Sequence, residues 1–138
     1  MKAVVQFALI SMLLFGCAGS PYQVSQMNRA ELSTVSNYNL LGSLSNTAVR
    51  NKMMFDEAKR RGLLTDSDIR IVKKGKLKRG MTENTLIATK GQPLQIKRDT
   101  YRSEVIKQYV YGFKTKYSNQ MYVIVNRGTV RSWHEKKK

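Results

Sequence analysis

Between residues 94 and 133 the chain alternates β-branched or aromatic residues with polar ones, in runs too short to be helices, and turn residues close each run. The pattern sets strands at 94–100, 105–113, 120–126 and 129–133. Residues 101–104 form one turn, and Asn126-Arg127-Gly128 form a short hairpin loop in which the glycine supplies a positive φ. Alternation sorts Val105, Tyr109, Tyr111 and Phe113 onto one face and Ile106, Gln108 and Val110 onto the other. The third strand sets Met121, Val123 and Val125 against Tyr122 and Ile124. The expectation is an α+β domain: short helices packed on one face of a three- to four-stranded antiparallel meander, with the second face turned to water or a partner.

The helices lie upstream. Thr82 caps a two-turn helix that Gly91 ends and Pro93 forbids from continuing, and Met81 and Leu86 are placed to close a hydrophobic staple around its start. Leu86 and Ile87 are its buried residues, so it must lean on something larger. A short helix fits residues 36–44, with Tyr38, Leu41 and Leu44 spaced three apart, although Gly42 weakens it. A longer one is expected from Asn46 or Thr47 to Gly62, with Ala48, Met54, Phe55 and Ala58 on its apolar side. Thr65 caps another that ends near Lys74, with acids at its start and lysines at its end, as the helix dipole favours. Residues 17–35 mix Ser, Gln, Asn and small residues with no sustained period and read as a flexible tether.

The only cysteine, Cys17, follows a single Lys2 and a mostly apolar run over residues 3–15, the layout of a secretory signal too short to span a bilayer. Leu14 three places before the thiol and Gly16 just before it suit a lipobox, whose peptidase needs a branched apolar residue and a small one there, while Phe15 is bulkier than usual. Residues 1–16 are therefore expected to be removed and Cys17 to carry the lipid. Ala18, rather than Asp, matches the sorting context of lipoproteins sent to the outer membrane of a diderm bacterium. The expected location is that membrane, lipid-anchored, on the periplasmic face.

From Cys17 onward 122 residues remain, enough for one domain and not two. Of the 25 Lys and Arg only Lys2 precedes Cys17, so the rest exceed the 9 acids by 15 charges and will seek anionic surfaces. Export argues against nucleic acid as that surface and leaves phospholipid, cell-wall carboxylates and acidic protein faces. The densest run is Lys73, Lys74, Lys76, Lys78 and Arg79, which reads either as a solvated face or as a patch laid on lipid headgroups or a partner. Lys136 to Lys138 form a basic tail that adds to it.

Catalytic chemistry finds no footing. The one histidine, His134, stands near the basic tail, the one cysteine is assigned to lipid, and the acids are scattered, so no catalytic set, metal site or cofactor site is expected. Asp66-Ser67-Asp68 lacks the Gly and distant Glu of a calcium loop and reads as a helix N-terminus. No small-molecule substrate is expected. Tyr109, Tyr111, Tyr117, Tyr122 and Trp133 could stack single-stranded nucleic acid, but tyrosines in strands are ordinary packing material, and Tyr109 and Trp133 are better candidates for anchors into a protein groove.

Taken in order, Gly80-Met81-Thr82, Gly91-x-Pro93, Gln108-Tyr109-Val110-Tyr111-Gly112, Tyr122-Val123-Ile124-Val125, Gly128-x-Val130 and Trp133 resemble the SmpA/OmlA family of small outer-membrane lipoproteins, also called BamE-like, over about residues 71–133. The resemblance implies two helices against a three-stranded antiparallel sheet. It also implies a noncatalytic module docked on an envelope complex, in some members the barrel-assembly machinery. Two departures stand out: a longer helical part over residues 36–75, and Val125-Asn126-Arg127-Gly128 at the last hairpin. The division expected is 1–16 signal, 17–35 tether, 36–75 helical part, 76–135 BamE-like unit and 136–138 tail. The same domain type also serves unrelated binders, so the alternative is a ligand-binding or inhibitory lipoprotein: a secretion or pilus pilot protein, an exclusion factor, or a binder of cell wall or lipopolysaccharide.

Overall fold

Two tight turns set the sheet. The computed structural model describes residues 19–112 and 119–137. Its strands are β1 (Gln95–Tyr101), β2 (Glu104–Tyr111), β3 (Gln120–Asn126) and β4 (Thr129–Lys136), antiparallel in the order β1-β2-β3-β4. Arg102 and Ser103 link the first pair, Arg127 and Gly128 the last, and all four residues have positive φ. That is the two-residue mirror-image turn whose twist matches paired strands. An Arg127–Glu104 ion pair and an Asn126 amide donating to Glu104 at 2.9 Å join the two turns at one end of the sheet.

Residues directly opposite across strands share a face, so Tyr109, Val123 and Trp133 form one row. The β3–β4 register slips between Ile124 and Val125: Val125 faces Val130, while Ile124 faces Ser132. Arg131 is the inserted residue of this bulge, and it keeps both Val130 and Trp133 on the side of Val123. On that side Tyr109, Tyr111, Val123, Val125 and Val130 join one core with the helices, and Tyr109 shares its face with Tyr111 and Val123 with Val125, as the alternation predicts. β4 runs three residues beyond the expected end and takes in Lys136, the first residue assigned to the tail.

Helix α6 (Glu83–Lys90) is the centre of the helical layer, with Thr85 to Thr89 all buried. Its polar side chains are satisfied: Thr89 donates to Thr85 O at 2.6 Å, and Thr85 donates to the Asp68 carboxylate at 2.9 Å. The segment before it holds the outer edge of β4, with Gly80 N–H donating to Val130 O at 2.8 Å and Val130 N–H to Met81 O at 2.9 Å. Helix α3 (Asn37–Leu44) buries Leu40, Leu41 and Leu44, and its Gly42 has a purpose: a Cβ there would lie 2.8 Å from Gln92 Cγ. Helix α5 (Asp66–Lys74) is capped by Thr65 and ends at Lys74, as expected, and a left-handed Gly75 closes it.

Two expectations fail. Helix α4 (Lys52–Arg60) starts at Asn51, not Asn46 or Thr47, because the Asn46 carboxamide accepts from Ala48 N–H at 3.1 Å and closes a local turn, leaving Ala48 exposed. The tether is also not a tether within the described residues. Ser20 and Gln23 form a capping box for α1 (Pro21–Gln26), Asn28 and Glu31 another for α2 (Arg29–Leu32), and Val24 and Leu32 are each 1% exposed. Arg61 holds the segment down, donating to Leu32 O at 2.8 Å, Val35 O at 2.6 Å and Asn37 Oδ1 at 2.9 Å. Asn51 donates to Ser25 O at 3.0 Å. Short polar runs conceal such a segment because it contributes only one apolar residue per turn to a core built elsewhere.

Candidate functional site

The basic run leaves α5 at its negative end. Val72 is fully buried and Leu77 packs against the core, so the chain between them is pinned at both sides while Lys73, Lys74, Lys76, Lys78 and Arg79 remain exposed. A third fastening is Lys78 N–H to Met81 Sδ at 3.3 Å. Among the described residues none of the five forms an ion pair. Further cations gather at the carbonyls that end the helix: Arg50 donates to Val72 O at 3.2 Å and Lys73 O at 3.3 Å, and Lys90 donates to Gly75 O at 3.2 Å. Those bonds use the carbonyl partial charges and leave the guanidinium and ammonium charges on the surface.

Beside the run lies an open groove of about 590 Å3 between α4 and α5. Its two acids are engaged, Asp56 by Lys52 at 2.6 Å and Asp66 by Lys59 at 2.8 Å, and the Lys59 ammonium holds the Asp66 carboxyl below its usual range. Arg50 and Lys73 lie 5.9 and 5.4 Å from the Phe55 ring centroid, adding cation–π attraction. Among the described residues Arg50 and Lys73 have no acid paired to them, so the groove presents positive charge around an aromatic floor.

The aromatic anchors separate. Tyr109 is 2% exposed and belongs to the helix–sheet core, so it is withdrawn as a partner anchor. Burial, with the Glu83 carboxylate beside it, pushes its phenol well above the usual range, and burial does the same to Tyr111. Trp133 is 39% exposed, on the edge strand, and stays available. Tyr122 lies on the opposite face, stacked on His134 with ring centroids 5.0 Å apart, so the tyrosines do not converge on one platform. Cys17 and Tyr117 lie outside the described residues.

Among the described residues no three His, Cys, Asp or Glu side chains gather as a metal site, and no helix is long and apolar enough to cross a membrane. Sequence reasoning found the basic run but missed Arg50 and Arg61, whose task is to bind carbonyls distant in sequence; no local spacing announces that. It also missed the folded N-terminal segment, whose two capping boxes, Ser20-x-x-Gln23 and Asn28-x-x-Glu31, were legible. Comparison with known proteins finds no matching family model, curated protein or solved structure.

Proposed function

We propose that this chain is a noncatalytic outer-membrane lipoprotein of BamE-like type, a binding and scaffolding module in envelope assembly. Acyl chains on Cys17 attach it, each buried methylene adding about 0.8 kcal/mol. The observation that carries the reading is the run from Lys73 to Arg79, five exposed cations held on a pinned loop with no acid paired to them among the described residues. Charge held in this way serves an external anionic surface better than internal stability. The fold supports a binding role, with short helices on one face of a meander and an exposed tryptophan on its edge strand.

The test is a crosslinked pull-down of C-terminally tagged protein from solubilised envelopes, with Cys17→Ser as control. Recovery of barrel-assembly subunits supports the proposal. Enrichment of a secretion, pilus or cell-wall partner instead favours the ligand-binding or inhibitory alternative. Normal outer-membrane recovery of Cys17→Ser would remove the lipid anchor from the account.

A further inference from the structure

The folded segment at Ser20 sets the distance between the domain and its anchor. Ser20 N–H donates to Gln23 Oε1 at 2.9 Å, so the chain is fixed from that residue on, and only Ala18 and Gly19 separate it from Cys17. Three residue steps reach roughly 10 Å at full extension, comparable to a Debye length of about 8 Å. An acylated Cys17 cannot leave the domain free to tumble above the bilayer.

The neighbourhood of Ser20 identifies the end that is held down. Ser20 shares a cleft of about 390 Å3 with Gly91 and Gln92, and Gln92 donates to Asn39 Oδ1 at 3.1 Å. Leu94, two residues on, is 52% exposed, and Tyr22 and Tyr38 on the flanking helices are 64% and 41% exposed. Scattered apolar exposure is ordinary, but tyrosines and a leucine around the point where a lipid-bearing chain enters match the composition of a membrane interface. Cations gather at the same end of α6: Lys90 reaches Gly75 O at 3.2 Å, which brings Lys74 and Lys76 within a lysine's length of the last turn of that helix. Lys136, opposite Gln120, stands at the same end of the sheet as Leu94. The two hairpin turns lie at the other end, about 23 Å away along β1 at 3.3 Å per residue.

We infer that the domain sits directly on the leaflet that anchors it, with the end bearing Ser20, Tyr22, Tyr38, Leu94 and the Gly75 loop against anionic phospholipid and both hairpin turns pointing away. The inference rests on the lipoprotein reading and goes beyond it: the membrane is a docking surface with one orientation. A partner protein must then approach from the hairpin end or the flanks.

The experiment uses the acylated full-length protein in vesicles of phosphatidylethanolamine and phosphatidylglycerol containing a headgroup-quenching lipid. A fluorophore is placed at Leu94→Cys or at Ser103→Cys. Quenching at position 94 and none at position 103 is the expected result. A spacer of about twelve Gly and Ser residues before Ser20, roughly 20 Å end to end, should abolish the difference. Equal quenching at the two sites, or stronger quenching at 103, overturns the orientation while leaving the anchor intact. A difference that survives the spacer overturns the leash as its cause. Protein that reaches the vesicle preparation unacylated at Cys17 fails the lipoprotein reading, and the inference falls with it.

Discussion

Truncating Leu32 tests whether the first helices belong to the folded unit, on which the short leash depends. Leu32 is 1% exposed, and its carbonyl is held by Arg61 at 2.8 Å. Leu→Ala in a closed core costs about 2–5 kcal/mol, and a four-residue helix at the edge of the core can partly collapse into the gap, so the lower half of that range applies, about 2–3 kcal/mol. With a urea m-value of about 2 kcal/mol/M for a domain of this size, the midpoint should fall by roughly 1–1.5 M at constant m. The mature chain carrying Cys17→Ser, followed by far-UV circular dichroism in urea, gives the reading free of lipid. Tyr22→Ala is the matched control: it lies in the same segment at 64% exposure and should move stability by no more than about 0.5 kcal/mol. If Leu32→Ala shifts the midpoint no more than Tyr22→Ala, residues 21–32 are outside the cooperative unit, the leash is long, and the docking orientation loses its premise.

Reversing Lys74 and Lys76, which flank Gly75, together to Glu should weaken binding to phosphatidylglycerol vesicles, each lysine near the surface contributing about 1 kcal/mol, and the deficit should shrink as salt rises; sedimentation showing unchanged binding would reduce this part of the run to a solvated face. Arg60 and Arg61 hold the Glu57 carboxyl at about 2 against an ordinary 4.5, so the stability it contributes is present above pH 4.5 and lost as pH falls to about 2. Glu57→Gln should therefore melt lower at neutral pH yet lose less across that acid window, and a thermal-melt profile parallel to the parent would refute the linkage. Arg61→Met keeps the side-chain length but removes the donors to Leu32 O, Val35 O and Asn37 and the ion pair with Glu57, which keeps only Arg60, at a cost of about 3 kcal/mol or more, and hydrogen exchange should rise first over residues 21–35.

The parts of this fold written in local grammar could be read without coordinates. Thr82, Gly91 and Pro93 bound α6, Thr65 and Lys74 bound α5, and the alternation groups Tyr109 with Tyr111 and Val123 with Val125, while which of the two faces packs the helices came from the fold. Competition between neighbours was not legible. Asn46 and Asn51 are both good caps, and the choice goes to Asn51 because the Asn46 side chain is spent on Ala48. Tyr109 carries the composition of an interface residue, but its place under α6 is a matter of tertiary packing, as is the docking of α1 and α2. The basic run was visible as charge. That Val72, Leu77 and Met81 nail its backbone down could be learned only from the fold.

The inserted Arg131 has a comparative consequence. Because the bulge absorbs one residue, Val130 and Trp133 reach the same face at a spacing of three, where an unbroken strand would need two or four. A relative that lacks this residue must write the pair as Val-x-Trp to keep both side chains on the helix-packing face. One that keeps Val-x-x-Trp without the bulge must send the tryptophan to the face of Tyr122 and bring the residue at position 134 beneath the helices. A spacing of two, Val-x-Trp, therefore marks an unbroken edge strand, and at a spacing of three an apolar residue at position 133 rather than 134 marks the bulged one.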